Sequence, residues 1–163
     1  GSIYDMTDSD FAADIDNRKS QTGWIFIYNG GAISWRSVQQ NCVALSTPEA
    51  EYMAASDAAK EGRSLLKLAN NIFNKQVKSI SIGVDNRAAE IWTRQPCQPS
   101  KTKQIDISYH HIRDEVAKGR IKLFPVPSSM NSSDALTKAL KKDQHEFLGK
   151  INFGYASSTA PLS

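Results

Sequence analysis

The sequence predicts a mixed α/β domain, with a sheet of about five strands and helices packed on its faces. Three observations lead to this fold class. Three segments rich in β-branched and aromatic residues come first, one long helical pattern follows them, and strand and helix patterns then alternate. Such an order is typical of a sheet that contains both antiparallel and parallel pairs.

The first three strands are predicted to form an antiparallel meander. The first covers residues 3–11, and the second is the aromatic and β-branched segment 23–28. The sequence 29–31, Asn-Gly-Gly, is a tight hairpin signal. It leads into a third strand that is predicted at 32–35 and is expected to resume at 42–45.

The longest helix is predicted from about residue 48 to residue 73. Ser46 or Thr47 can cap it, and Pro48 suits a first turn in which a missing N–H costs nothing. Ser46 and Glu49 also match a capping box, which gives Glu49 a structural role. A seam with alternating spacings of three and four is expected to face the core: Ala50, Ala54, Ala58, Glu61, Leu65, Leu68 and Ile72.

Shorter elements are predicted after the long helix. In chain order they are a strand at 79–84, a short helix at 87–94, a loop with prolines at 96 and 99, a helix at 105–117, a strand at 121–126 and a last pair of helices through 140 and 147. Pro125 in the fifth strand suits the edge of a sheet. The serine-rich segment before Asp134 is expected to be able to move.

One domain accounts for nearly all of the chain. Residues 1–2 resemble a scar left by tag cleavage, residues 3–154 form the domain, and residues 155–163 are expected to be disordered. The 40% hydrophobic content and formal charge of +3 are those of a water-soluble globular domain, and they permit a nucleic-acid partner. No apolar run approaches the ~20 residues of a membrane span.

Four carboxylates fall at the ends of predicted elements, where this fold could bring them together. Asp8 lies on the first strand and Glu51 on the long helix, beyond its cap; Asp85 ends the fourth strand, and Asp134 begins the last helix pair. Each has a structural alternative. Asp8 belongs to an acidic segment, Asp85 could cap a helix, and Asp134 could favour a helix dipole. A buried carboxylate such as Glu51 needs a partner, and a metal ion is one candidate.

Several longer motifs occur in order along the chain. They are Thr7-Asp8-Ser9-Asp10-Phe11-Ala12, Arg18-Lys19-Ser20, Ile33-Ser34-Trp35, Ala44-Leu45-Ser46-Thr47 with Glu49-Ala50-Glu51-Tyr52-Met53-Ala54, Val84-Asp85-Asn86, Lys103 with Ile105-Asp106-Ile107, Tyr109-His110 with Ile112-Arg113, and Asp134-Ala135-Leu136-Thr137-Lys138. With these motifs the chain resembles the ribonuclease H domain at the C-terminal end of the polyprotein of copia-type retrotransposons, over about residues 4–153. The resemblance implies a ribonuclease H-like fold.

The resemblance also implies a metal-dependent endonuclease. In that family four carboxylates bind two Mg²⁺ ions, which Mn²⁺ can replace, and the matching residues are Asp8, Glu51, Asp85 and Asp134. Glu51 matches, and Glu49 does not, because the Ala-Glu-Tyr triplet is the family motif. The implied reaction is hydrolysis of the RNA strand of RNA–DNA hybrids during reverse transcription. The implied partners are the hybrid and the reverse transcriptase portion of the same polyprotein, in a cytoplasmic virus-like particle or in the nucleus.

Binding of a hybrid is expected to depend on phosphate contacts and on 2′-hydroxyls in a wide minor groove. For each basic residue the alternative is ordinary solvated surface, and Trp24, Trp35 and Tyr52 are expected in the core. Gln104 departs from the family, many members of which have histidine there. The candidate backbone contacts are Arg18, Lys19, Arg36, Lys101, Lys103 and Arg113.

Two other functions remain open at this stage. The first is a host-adopted or regulatory module that binds a hybrid or a protein partner without cutting. The second is a transposase or integrase core on the same fold, which usually carries two aspartates and a glutamate on a late helix. The position of Glu51 on the first long helix argues against the second.

Overall fold

A computed structural model of the chain describes residues 3–73, 77–85 and 103–152. The predicted tag scar, the short helix at 87–94, the proline loop and the tail at 155–163 lie outside the described residues, as does Lys101. None of the helices in the described part of the chain has the length and apolar character needed to span a membrane.

The described residues form five strands and four helices, joined by turns and one short 3-10 helix at Ser128–Met130. The strands are β1 (Ile3–Asp10), β2 (Gln21–Tyr28), β3 (Gly31–Gln39), β4 (Ile80–Asp85) and β5 (Ile121–Val126). The helices are α1 (Thr47–Phe73), α2 (Lys103–Ala117), α3 (Asp134–Thr137) and α4 (Lys142–Asn152).

The five strands form one mixed sheet in the order β3-β2-β1-β4-β5, which confirms the predicted fold class. β1, β2 and β3 pair antiparallel, whereas β4 is parallel to both β1 and β5. Two residues with positive φ, Asn29 (51°) and Gly30 (82°), make the predicted hairpin turn. β5 is an edge strand, where Pro125 does not interrupt a ladder on its outer side.

Helices cover both faces of the sheet, as alternation along β2 shows. A Cβ atom on Gly62 of α1 would lie 3.3 Å from Phe26 Cζ, so α1 covers the face that carries Phe26. Successive residues of a strand face opposite sides of the sheet, so Gly23, three positions before Phe26, faces the other side. A Cβ atom there would lie 2.6 Å from Thr137 Cγ2, so α3 can approach β2 closely only because Gly23 has no side chain.

The core lies mainly between the sheet and α1, and α2 packs against α1 and β5. The rings of Tyr52 and Tyr109 meet edge to face with centroids 5.1 Å apart. As predicted, Ile80, Ile82 and Val84 of β4 are fully buried. Trp24 and Tyr52 are also buried as expected, but Trp35 is 62% exposed, so its assignment to the core is wrong.

Two sequence expectations are corrected. β3 continues to Gln39 and does not resume at 42–45, because β2, its partner, begins at Gln21 opposite Gln39. The predicted seam of α1 holds over Ala50, Ala54 and Ala58, and Leu65 still packs against the core, but its last two residues do not. Ala59, Gly62 and Ala69 are buried in place of the larger residues of the seam, since the close approach of α1 to the sheet selects small residues: Leu68 and Ile72 are exposed.

Asp5 is an unexpected acid in the core. It lies opposite Phe26 in the sheet and is fully buried. Its Oδ1 accepts the backbone N–H of Ile25 at 3.0 Å, whereas Oδ2 has no hydrogen-bond partner among the described residues. Burial raises the pKa of the Asp5 carboxyl well above its usual value, and the backbone N–H groups of Ile25 and Met6 offset this only in part. We therefore expect the carboxyl to stay protonated in the folded chain to a higher pH than in the unfolded chain.

Asp5→Asn is expected to stabilise the protein at pH 7 and to have little effect at pH 3. The unfolded carboxyl ionises above pH ~4, while the folded one stays protonated, so the folded state binds more protons. Stability should thus fall as pH rises above ~4 toward the raised pKa, and the variant should lose this slope. Urea unfolding from pH 3 to 8 measures it, with the exposed Asp16→Asn as control. A wild-type pH profile in Asp5→Asn would contradict the assignment.

Candidate active site

Two of the predicted carboxylates lie at the carboxyl ends of neighbouring parallel strands. Asp8 is near the end of β1, and Asp85 is the last residue of β4. The register pairs Met6 with Gly83, so two further residues along each strand bring Asp8 level with Asp85. This end of a parallel strand pair is where open α/β sheets commonly bind ligands.

Asp8 and Asp134 are joined by one lysine. Lys138 Nζ lies 3.3 Å from Asp8 Oδ2 and 3.3 Å from Asp134 Oδ2. The hydroxyl of Thr137 also donates a short hydrogen bond to Asp8 Oδ2. Both aspartates are about 5% exposed. The two carboxylates are therefore close neighbours, although 126 positions separate them in sequence.

Glu51 lies in the first turns of α1 and is 4% exposed. Its Oε1 accepts the N–H of Ser9 at 3.2 Å and the hydroxyl of Ser9 at 2.8 Å, whereas its Oε2 has no hydrogen-bond partner in the described part of the chain. Burial, and then the nearby charges of Asp8 and Asp85, raise the pKa of Glu51 to about 8, against the effect of the Ser9 hydrogen bonds.

Glu49 has the structural role that the sequence suggested. Its Oε2 accepts the N–H of Leu45 at 2.6 Å, and its own N–H donates to Ser46 Oγ at 3.4 Å. It therefore caps the start of α1, one residue further back than a standard capping box. This contrast supports the choice of Glu51 over Glu49 within the motif.

The residues that lead directly into α3 are held against β1 by hydrogen bonds. Asn131, Ser132 and Ser133 are buried. Asn131 Nδ2 donates to the carbonyl of Thr7 in β1 at 3.0 Å, and Asn131 Oδ1 accepts the N–H and hydroxyl of Ser133. Asn131 thus ties the start of α3 to β1, which sets the position of Asp134. Ser133 itself makes no side-chain cap.

Burial and neighbouring charges shift the pKa values of Asp134 and Lys138. Burial, and then the charge of Asp8, raise the pKa of Asp134 to about 6, and Lys138 offsets part of this rise. Burial by itself lowers the pKa of Lys138, but the charges of Asp8 and Asp134 more than compensate, so its pKa is raised. The ammonium is therefore charged at neutral pH and balances part of the acidic cluster.

The donor chemistry suits a hard divalent cation, but the side chains are not arranged around one. The candidates are all carboxylates, which Mg²⁺ prefers, and Glu51 Oε2 is an unused buried acceptor. Among the described residues, however, no three Asp, Glu, His or Cys side chains form a group that could hold a metal ion. Asp85 Oδ2 instead accepts a hydrogen bond from Ser128 Oγ at 2.8 Å. Metal binding would require side chains to exchange these partners.

Sequence reasoning missed the residues that hold the acids. Ser9, Thr137 and Lys138 lie within the motifs that carried the resemblance, and the spacing of four between Asp134 and Lys138 predicts one helical face. The contacts of Thr137 and Lys138 with Asp8, and of Ser9 with Glu51, had no signal in the sequence, because they depend on how α3 and α1 pack on the sheet.

Of the candidate phosphate contacts, Lys19 is the one that shares a groove with Thr137 and Lys138, the residues that contact Asp8. It lines an open groove of about 450 Å³ together with Ser37, Thr137 and Lys138. Arg18 precedes it with a positive φ of 58°, in a turn that the side chain of Asp14 holds by accepting N–H bonds from Asp16 and Asn17. The β1–β2 turn is therefore an ordered edge of the groove.

The remaining basic candidates lie elsewhere. Arg36 on β3 pairs with Asp57 of α1 at 3.5 Å, Lys103 is exposed at the start of α2, and Arg113 contacts the hydroxyl and ring of Tyr109. The structure brings none of these three to the groove that contains Lys138.

Several relatives that match most of the chain are retrotransposon polyproteins. The chain is 41% identical over 145 residues to the retrovirus-related Pol polyprotein from transposon TNT 1-94 of Nicotiana tabacum, and 30% identical over 151 residues to that from transposon RE1 of Arabidopsis thaliana. These matches cover 89% and 92% of the chain. The chain is a homologue of retrotransposon Pol polyproteins. It spans only 11% and 10% of their lengths. No protein-family model matches the sequence.

Solved structures show that this Pol homologue has the ribonuclease H fold. Ribonuclease H1 from Halobacterium salinarum superposes with a TM-score of 0.57 at 16% identity, over 84% of this chain and 95% of that one. LC11 ribonuclease H1 in complex with an RNA/DNA hybrid superposes with a TM-score of 0.58 at 14% identity, over 83% and 94%. The predicted resemblance and fold are confirmed.

Glu51→Gln is expected to remove the thermal stabilisation that Mg²⁺ confers, while the protein still folds in EDTA. The change keeps the side-chain volume and an acceptor for Ser9, but it removes the charge that a metal ion needs. The matched control is Glu49→Gln, which should keep the response to Mg²⁺ and cost less than ~1 kcal/mol as a weakened cap. Melting curves with and without Mg²⁺ measure both. If Glu49→Gln alone lost the response, the assignment within this motif would be wrong.

Asn131→Ala is expected to lower the free energy of unfolding by about 2–3 kcal/mol, because it leaves buried groups of Thr7 and Ser133 without partners. Ser129→Ala, at an exposed position two residues earlier, is the control and should change stability little. Urea unfolding compares the two. If Asn131→Ala left the free energy of unfolding nearly unchanged, the hydrogen bonds of Asn131 would not hold the loop before α3 in place.

Proposed function

We propose that this Pol homologue is a ribonuclease H domain that hydrolyses the RNA strand of RNA–DNA hybrids during reverse transcription in a cytoplasmic particle. The observation that carries the proposal is the meeting of acids from four elements. Lys138 bridges Asp8 of β1 and Asp134 of α3, and the charges of Asp8 and of Asp85 of β4 act on Glu51 of α1. A structural role for all four would not require them to meet.

These four carboxylates would hold two Mg²⁺ ions, with Mn²⁺ as a substitute. Such ions, when bound, activate an attacking water and stabilise the departing oxygen of a phosphodiester. The other residues orient the acids. Ser9 fixes one oxygen of Glu51, the hydroxyl of Thr137 fixes one oxygen of Asp8, and Asn131 fixes the start of α3. Each leaves at least one carboxylate oxygen available to a ligand.

The hybrid would lie along the groove lined by Lys19 and Lys138, with basic side chains on phosphates. Arg18 stands beside this groove, and Lys101, Lys103, Arg36 and Arg113 are candidates for more distant phosphates. Because these contacts are to the backbone, we expect little sequence preference. The reverse transcriptase portion of the polyprotein is the proposed partner that delivers the hybrid.

One assay distinguishes a ribonuclease H from a regulatory module that binds the hybrid without cutting it. The chain is incubated with labelled RNA–DNA hybrid, double-stranded DNA and double-stranded RNA, in Mg²⁺, in Mn²⁺ and in EDTA. We expect cleavage of the RNA strand of the hybrid alone, in either metal, and none by Glu51→Gln. Tight binding of the hybrid without cleavage in either metal would favour the regulatory module. Cleavage or joining of double-stranded DNA would favour a transposase or integrase core.

Lys19→Ala is expected to weaken hybrid binding and to reduce the slope of log K against log salt by about 1, because one phosphate contact and its released counterion are lost. The control is Lys67→Ala, sixteen residues beyond Glu51 and therefore about 24 Å further along α1. Titrations of the inactive Glu51→Gln background at several salt concentrations measure the slopes. An unchanged slope for Lys19→Ala would remove this residue from the interface.

A further inference from the structure

Lys138 occupies the place between two acids that the proposed function assigns to metal ions. Its Nζ lies 3.3 Å from one oxygen of each of Asp8 and Asp134, and both carboxylates are almost fully buried. The lysine follows Asp134 by one turn, and the backbone N–H of Lys138 donates to the carbonyl of Asp134, which ends α3. Its side chain is therefore tethered within reach of this pair.

We propose that Lys138 is a built-in counter-cation, whose ammonium bridges Asp8 and Asp134 in the metal-free protein and has to leave before a divalent ion can bind there. The inference rests on the proposed function, since it takes the same carboxylates as metal ligands. It goes beyond that function because it assigns to Lys138 a competition with the metal ion for Asp8 and Asp134.

Competition follows from charge and space. The ammonium lies against one oxygen of each carboxylate, so a divalent ion held by both residues would come into contact with it. An ammonium and a divalent ion in contact repel strongly where there is little water. Removing one partner from a buried charge group leaves the others uncompensated. The lysine therefore stabilises the empty site, and the same interaction weakens metal binding.

The arrangement explains two features together. The acids can remain buried beside one another without a metal ion, because one ammonium serves both. No three ligands in the described part of the chain are arranged around a cation, because Asp8 and Asp134 are oriented toward Lys138. The half-buried position of Lys138 lets its side chain swing into the adjacent groove when it is displaced.

The test measures Mn²⁺ binding by calorimetry in the absence of nucleic acid. Lys138→Met keeps the length of the side chain and removes its charge, and we expect Mn²⁺ to bind on the order of tenfold more tightly. In EDTA the same variant should melt at a lower temperature than the wild type. Lys142→Met is the matched control. Its side chain is 85% exposed and pairs with Glu146, so the same loss of charge should change neither quantity.

A second measurement needs no variant. In the wild-type chain the NMR signals of the Lys138 Cε group should shift as Mg²⁺ is added, with the midpoint of metal binding, while those of Lys142 stay unchanged. Wild-type Mn²⁺ affinity in Lys138→Met, or Lys138 signals that do not respond to saturating Mg²⁺, would overturn this inference and leave the proposed function standing. Failure of every variant and of the wild type to bind either metal would overturn both.

Discussion

Buried acids near the ends of two parallel strands impose one constraint on the structure, namely that their charges have to be balanced. Burial, and then the charge of Asp8, raise the pKa values of both Glu51 and Asp134. The chain meets this constraint with its own donors. Ser9 contacts Glu51, Thr137 contacts Asp8, Ser128 contacts Asp85, and Lys138 bridges Asp8 and Asp134. The segment that carries Thr137 and Lys138 therefore has to approach β1 closely.

This constraint explains features of the fold that are otherwise unconnected. Gly23 permits the contact between α3 and β2 that brings Thr137 and Lys138 to Asp8. Asn131 fixes the loop that precedes α3 by a bond to the backbone of β1. The antiparallel hairpin β1–β2 and the parallel pair β1–β4 make β1 central, so its end is within reach of residues from both halves of the chain.

The sequence predicted the elements better than their packing. Local patterns were enough for the hairpin at Asn29-Gly30, for the buried face of β4 and for most strand and helix limits. They failed where tertiary packing determines the outcome. The buried face of α1 includes the small residues Ala59 and Gly62, and β3 ends at Gln39, opposite the first residue of its partner β2. The acids of the site could be chosen because motif and capping chemistry distinguished Glu51 from Glu49. The role of Lys138 could not be predicted, because it depends on contact with Asp8, 130 residues away.

The central claim is that these acids form one metal site which Lys138 fills in the metal-free chain. Crystals of the protein grown in EDTA and then soaked in MnCl₂ test it most directly, through anomalous scattering from manganese. The account predicts two peaks about 3.5–4 Å apart among Asp8, Glu51, Asp85 and Asp134, with the Lys138 side chain moved away. Manganese bound elsewhere, or no manganese and Lys138 still between Asp8 and Asp134 at a saturating concentration, would contradict it.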